Sequence, residues 1–227
     1  VTVHSIRNAE IAINTRFAFR EKYVSGTFRR VSLGTSWPVV ELHAAYGIPR
    51  LLHSDNEYLK MVLLFSHRVT TGALGNFRYA LEGGGIRGTL PYPLLILHPG
   101  NETFYYDDGA YNTMNYFEFI SDRYASLWVE QHFDGYFLNR IPLLRRLKWR
   151  EVVGAKALVG DLDDRHQEAL MLLDLMSKLN GTPFVEASAG IENIFKCLRV
   201  DGIWRLTHRD APRATNFALR MKLILNF

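Results

Sequence analysis

The sequence carries a single cysteine, Cys197, among 227 residues, so no disulfide framework and no cysteine-based zinc site can be assembled within the chain. Long apolar runs are missing as well. Stretches such as Met61–Phe65 and the Pro-broken Leu90–Leu97 fall far short of the roughly 18–20 residues that a transmembrane helix needs. Neither sign of charge dominates: 27 Lys and Arg stand against 23 Asp and Glu, a net charge of +4, and the charged fraction is an ordinary 22%. With 48% hydrophobic residues, that balance excludes a disordered chain and a charged tail. No initiator Met and no basic region followed by an apolar stretch opens the chain, which predicts an internal start with any export signal upstream of Val1. One membrane route survives these absences. A transmembrane β-strand needs only about 9–11 residues and alternates, leaving hydropathy near neutral.

What is present is period-two alternation. In Glu10–Arg20, Ile11, Ile13, Phe17 and Phe19 lie opposite Asn14, Arg16 and Arg20. Tyr58–Val69 sets Leu59, Met61, Leu63, Phe65 and Val69 against Lys60, Ser66 and Arg68, although Val62 and Leu64 blur the polar side. Asn76–Gly84 and Tyr124–Phe133 repeat the pattern, with Trp128 on the polar face beside Glu130 and His132. The cleanest segment is Phe217–Phe227. Further strands are predicted over Phe28–Gly34, Val39–Tyr46, Lys148–Gly160, Pro183–Ala189 and Val200–Arg209. Ten strands agree with the roughly 20–25 residues that a membrane barrel spends on each strand and connection. Only Arg165–Leu179 has helical spacing, and it reads as an insertion in a long loop. The connection Gly83–Met114 is irregular, and its Gly83, Gly84, Gly85 and Gly88 point to a bend or a close backbone approach.

A soluble β-sandwich or barrel alternates too, with its apolar face inward, and periodicity alone leaves both open. Strands near ten residues, alternating short and long connections, and aromatics crowding around Tyr105, Tyr106, Tyr111, Tyr116, Phe117 and Phe119 favour a membrane barrel with an interfacial girdle.

Four stretches carry a family resemblance: GTLPYPLLILHPGNETFYYD from Gly88, NYFEFISDRY over Asn115–Tyr124, NRIPLLRRLKWREVV over Asn139–Val153, and GIENIFKCLRVDGIWRLT over Gly190–Thr207. They resemble the C-terminal region of a Bacteroidota outer-membrane family whose members carry an N-terminal carboxypeptidase-like regulatory domain and end in a barrel of the surface antigen, BamA/TamA type. The resemblance implies an all-β fold: an antiparallel transmembrane β-barrel, of which residues 1–227 form the C-terminal part, with one helical loop insertion. It also implies an assembly signal at Leu223, Leu225 and Phe227 that the barrel assembly machinery reads. Outer-membrane lipid and other outer-membrane or periplasmic proteins are the expected partners.

No catalytic constellation accompanies the fold. The eight histidines are scattered, no HExxH or phosphate-loop pattern occurs, and neither cofactor nor metal nor nucleic acid is expected. Two sets of charges stand out. Glu118, Asp122 and Arg123 flank the entry to the Tyr124 strand and would form a network at the lumen or rim. Arg140, Arg145, Arg146, Lys148 and Arg150 surround Pro142 and would form a basic periplasmic turn. Lipid cannot satisfy charge, so Arg16, Arg20, Arg68, Arg78, Glu130, His132, Arg220 and Lys222 are expected to face the interior. The expected function is a non-enzymatic role in transport, assembly or scaffolding at the bacterial outer membrane; a soluble β-rich binding domain is the alternative.

Overall fold

The computed structural model describes residues 6–27, 30–166 and 176–224. Thirteen strands follow in chain order: β1 (Glu10–Ala18), β2 (Lys22–Ser25), β3 (Arg30–Gly34), β4 (Val39–Gly47), β5 (Tyr58–Thr70), β6 (Asn76–Arg87), β7 (Ile96–Leu97), β8 (Ile120–Ser121), β9 (Arg123–His132), β10 (Arg150–Asp161), β11 (Phe184–Ile194), β12 (Leu198–Arg205) and β13 (Phe217–Leu223). One short α-helix, α1 (Pro142–Arg145), lies wholly within the described residues. The helix expected over Arg165–Leu179 falls largely on residues 167–175, outside the described residues; Arg165 and His166 are helical, while 176–179 are not. The same holds for Leu225 and Phe227 of the expected assembly signal.

Nine strands form one antiparallel sheet in the order β1-β4-β5-β6-β9-β10-β11-β12-β13, while β2–β3 and β7–β8 are separate two-stranded pairs. Among the described residues this sheet is open, with β1 and β13 at its edges. The chain is therefore all-β, without a closed barrel among these strands. At one end of the sheet the connections are 19–38 (which carries β2–β3), 71–75, 133–149 and 195–197; at the other they are 48–57, 88–122, 162–183 and 206–216. The longest, 88–122, contains β7 and β8.

Register makes the alternation continuous across strands. Phe17 pairs with Val40, Val40 with Phe65, Phe65 with Leu81 and Leu81 with Leu127. On the far side Trp204 pairs with Phe217 and Gly202 with Leu219. These residues share what we call the outer face. Its large side chains lie open: Phe17 is 64% exposed, Leu63 51%, Leu81 52% and Leu219 61%. A one-residue slip in any strand would put charges on this face, so the patterning pins the register.

The inner face is covered by the segment 88–122. Leu90, Tyr111, Met114, Phe119 and Ile120 of that segment are almost fully buried. Leu90, Leu95, Ile96 and Ile120 pack with Tyr58 and Ile86 of the sheet and with Leu162 and Met176. Tyr111, Met114 and Phe119 pack with Leu158, Phe184 and Leu179. The apolar core thus lies between the sheet and its own longest connection. A loop buried this deeply must satisfy its backbone. It does so against sheet side chains and through short pairings such as His98 N–H to Phe119 O, Ser177 N–H to Glu118 O and Tyr106 N–H to Met221 O.

The glycine cluster has the close approach read from the sequence. Gly84 sits beneath the Tyr124 ring, where a Cβ would come within 2.5 Å of it, and the Tyr124 hydroxyl reaches Glu82 Oε1 at 2.6 Å.

Candidate functional site

The inner face of β9–β13 gathers the charges that alternation withholds from the outer face. On β12, Arg199, Asp201 and Arg205 point to the same side because they are spaced by two and by four. Arg199 grips Asp201 with two donors, Nε at 2.7 Å and Nη2 at 2.9 Å, and reaches Glu130 on β9 at 2.5 Å. The Tyr106 ring covers the Arg199 guanidinium at 4.6 Å. Gly190 on β11 leaves room for Asp201: a Cβ there would stand 2.3 Å from Asp201 Oδ1. His132 lies between two carboxylates, with Nε2 2.7 Å from Glu130 and Nδ1 3.1 Å from Glu192.

A second set of side chains holds the inner segment. Arg205 makes a two-point contact with Glu118, at 2.5 and 3.1 Å, and both side chains are buried. Glu186 on β11 accepts from the Asn112 N–H at 3.0 Å, the Thr113 N–H at 2.9 Å and the Thr113 hydroxyl at 2.7 Å. Lys156 on β10 donates to the carbonyls of Asp107, Asp108 and Ala110 and lies over the Trp128 ring at 4.7 Å. Arg220 on β13 donates to Asn101 O at 2.9 Å and Asn112 O at 3.0 Å, and Lys222 pairs with Asp108. Buried charge is tolerated here because each ion has a partner; removing one partner would strand the other. These charges clamp a loop.

Burial is the largest cause of the shifts of several groups of the inner segment. His98, against the Ser121 hydroxyl at 2.9 Å and edge-on to Tyr124, is held neutral by desolvation, its pKa pushed down to about 4. The Tyr106 and Tyr111 phenols are pushed up, chiefly by desolvation.

The two predicted charge sets fare differently from expectation. Glu118, Asp122 and Arg123 do not form one network. Glu118 pairs with Arg205, Asp122 Oδ2 lies 3.3 Å from His166 Nε2, and Arg123 turns to the outer face and bonds Asp161. Alternation separates Arg123 from Asp122, since neighbours in the extended stretch 120–124 point to opposite sides, and Glu118 and Asp122, both buried, meet different partners. The basic turn lies in the connection from β9 to β10 at one end of the sheet, and it is not a uniform patch. Arg140 stacks on Tyr136 at 4.1 Å, Arg150 lies 3.5 Å from Asp134, Arg145 ends α1, and Arg146 and Lys148 are exposed. Leu223 ends β13 on the outer face, opposite Leu198.

Arg16, Arg68, Arg78, Glu130, His132, Arg220 and Lys222 do lie on the inner face, and Arg20 follows β1 in a turn. Sequence reasoning missed Lys156, Glu186, Glu192, Arg199, Asp201 and Arg205. Their alternate spacing was visible; their partners, 45 or more residues away in most cases, were not.

Among the described residues no group of three or more His, Cys, Asp and Glu side chains is arranged to hold a metal ion. The inner face instead leaves a cavity of about 1110 Å³ between the tip of the inner segment (Tyr106, Asp108), the sheet from Arg16 to Ser188, and the base of the β2–β3 hairpin.

No curated protein matches the chain. The model of the "Family of unknown function (DUF5686) C-terminal domain" matches residues 3–171, which is most of its length. The chain that puts its charges around a buried inner segment and its apolar residues on the open face therefore belongs to the DUF5686 family, through that family's C-terminal domain.

Proposed function

We propose that this chain builds part of the wall of a bacterial outer-membrane β-barrel, the C-terminal portion of a larger barrel, and serves transport, assembly or scaffolding without enzymatic chemistry. One observation carries the proposal: the polarity of the sheet is inverted. Side chains such as Phe17, Leu63, Leu81 and Leu219 are exposed on one face while Arg199, Asp201, Glu186 and Arg205 are buried on the other. In water that arrangement wastes apolar burial and leaves a large greasy patch. In a bilayer it is what the solvent requires, because hydrocarbon accepts the aliphatic face and cannot accept the ions.

Two further features support it. Among the described residues the sheet edge at β1 carries no neighbour on its far side, as in a wall that other strands would complete, since a membrane sheet must pair every edge. The buried segment 88–122 would narrow the lumen it enters. The resemblance to Bacteroidota proteins with a carboxypeptidase-like regulatory domain and a BamA-like barrel points the same way, with outer-membrane lipid and the assembly machinery as partners.

The test is detergent dependence. The folded chain is expected to need detergent or lipid and to migrate differently on gels with and without boiling. A monodisperse protein in plain buffer, with one mobility, overturns the proposal in favour of a soluble β-rich binding domain.

A further inference from the structure

The cavity bounded by the inner segment has an electrostatic asymmetry that the clamp does not use. Its lining carries Arg16, Arg20, Lys22, Arg68, Arg78 and Lys156 against Asp108, Glu130 and Glu186. Every one of those carboxylates is already engaged: Asp108 by Lys222, Glu130 by Arg199 and His132, Glu186 by Asn112 and Thr113. Some of the cations are engaged too. Arg16 is paired with Glu21 and Glu41, and Lys156 is spent on backbone carbonyls.

Arg68 and Arg78 are different. They sit directly opposite each other in the β5–β6 ladder, both on the inner face, and both line the cavity. Among the described residues neither guanidinium has an ion-pair or hydrogen-bond partner. Glu130 is the register partner of Arg78 on β9, but its oxygens are directed to Arg199 and His132. Like charges placed directly across a ladder repel and destabilise the sheet unless something neutralises them. Both arginines are exposed on this open cavity, and two planar forks on adjacent strands can offer paired donors to the oxygens of a tetrahedral or carboxylate anion.

We propose that the Arg68–Arg78 pair is an oxyanion-binding site of this cavity, taking a phosphate-class group, either as a free anion in transit or as a phosphorylated lipid headgroup. It deepens the barrel proposal by giving the lumen a ligand class, and rests on that proposal for the lumen being a compartment. The ion neutralises two arginines that have no ion-pair partner among the described residues, and Trp128 and Tyr106 wall the same space.

The experiment is calorimetric titration of the detergent-folded full chain with inorganic phosphate at low ionic strength, beside the gel-shift assay for folding. Saturable binding is expected, weakened at least about tenfold by the double variant Arg68→Gln with Arg78→Gln. That variant removes a repulsion and so should still fold. Arg145→Gln with Arg146→Gln, on the α1 turn outside the cavity, should bind as the parent does. Repeating the titration in nanodiscs separates the sources. Phosphate binding that is undiminished by phosphatidylglycerol identifies a free anion, and binding lost when that lipid is present identifies a headgroup; both support the site. A folded, heat-modifiable protein that binds no phosphate, or whose double variant binds equally well, overturns the oxyanion site and leaves the barrel standing. A chain soluble without detergent that still binds phosphate through these arginines overturns the barrel and leaves the site standing.

Discussion

Leu63→Arg separates the two environments in which the open apolar face could sit. Leu63 is the sixth of thirteen residues of β5, on the outer face, paired with Leu42 on one side and Gly83 on the other, and 51% exposed. In water, the change would remove at most half of a leucine's burial, about 1 kcal/mol, and the arginine stem would recover part of it. Across a bilayer the same position lies near the midplane, where an arginine costs about 2–4 kcal/mol. That corresponds to a loss of about 30- to 700-fold in the folding equilibrium. Ser66→Arg is the matched control. Ser66 is on the inner face and lines the cavity, so the new side chain meets a polar, open space and should change stability by under about 1 kcal/mol. The assay is urea titration of chain folded into lipid vesicles, followed by tryptophan fluorescence, with the heat-modifiable band as an independent count of folded protein. If Leu63→Arg folds as well as the parent while Ser66→Arg does not, the faces have been assigned the wrong way round.

Arg205→Met would leave Glu118 buried without its cation and should cost about 3–5 kcal/mol; limited proteolysis should then cut within 99–118, and an uncut segment would argue against the clamp. Gly84→Ala brings a Cβ to 2.5 Å from the Tyr124 ring and 3.1 Å from Val62, so a loss of about 1–3 kcal/mol is expected, with the Tyr124 hydroxyl displaced from Glu82; an unchanged denaturation midpoint would count against the close approach. His98 binds its proton less readily folded, at about 4, than unfolded, at about 6.5. The unfolded state therefore takes up more protons between those values, and stability should fall by up to about 3 kcal/mol as pH drops from 6.5 to 4 and level off below. His98→Gln should flatten that part of the pH profile, and a variant with the parent's slope would assign the effect to other groups.

The elements were largely legible because alternation is a local property. The strands read at Glu10, Val39, Tyr58, Asn76 and Tyr124 begin within a few residues of where they were expected, as do those at Lys148, Pro183, Val200 and Phe217. The short pieces β2, β7 and β8 were not, since two to four residues carry no period. β7 and β8 are formed by the folding of the inner segment rather than by their own sequence. The stretch Gly83–Met114 read as irregular; residues 83–87 instead continue β6, and the rest belongs to the inner segment, whose burial against the sheet was invisible because its charged and amide groups look like those of a solvated loop until their partners are known.

Sequence by itself determined that the chain is β-rich, and it sorted apolar from polar side chains onto opposite faces of each strand. Spacing by two fixes the side of a strand on which a residue lies once its neighbours pair. Only the tertiary structure decided which face is open and which is covered, because both a soluble sheet and a membrane wall alternate. It also decided the partners: Glu118 was grouped with Asp122 and Arg123 by nearness in sequence, yet its counter-charge is Arg205, eighty-seven residues on. Ion pairing needs contact in space and is indifferent to chain order, so a strand's own residues state its faces and leave its ion pairs to the fold.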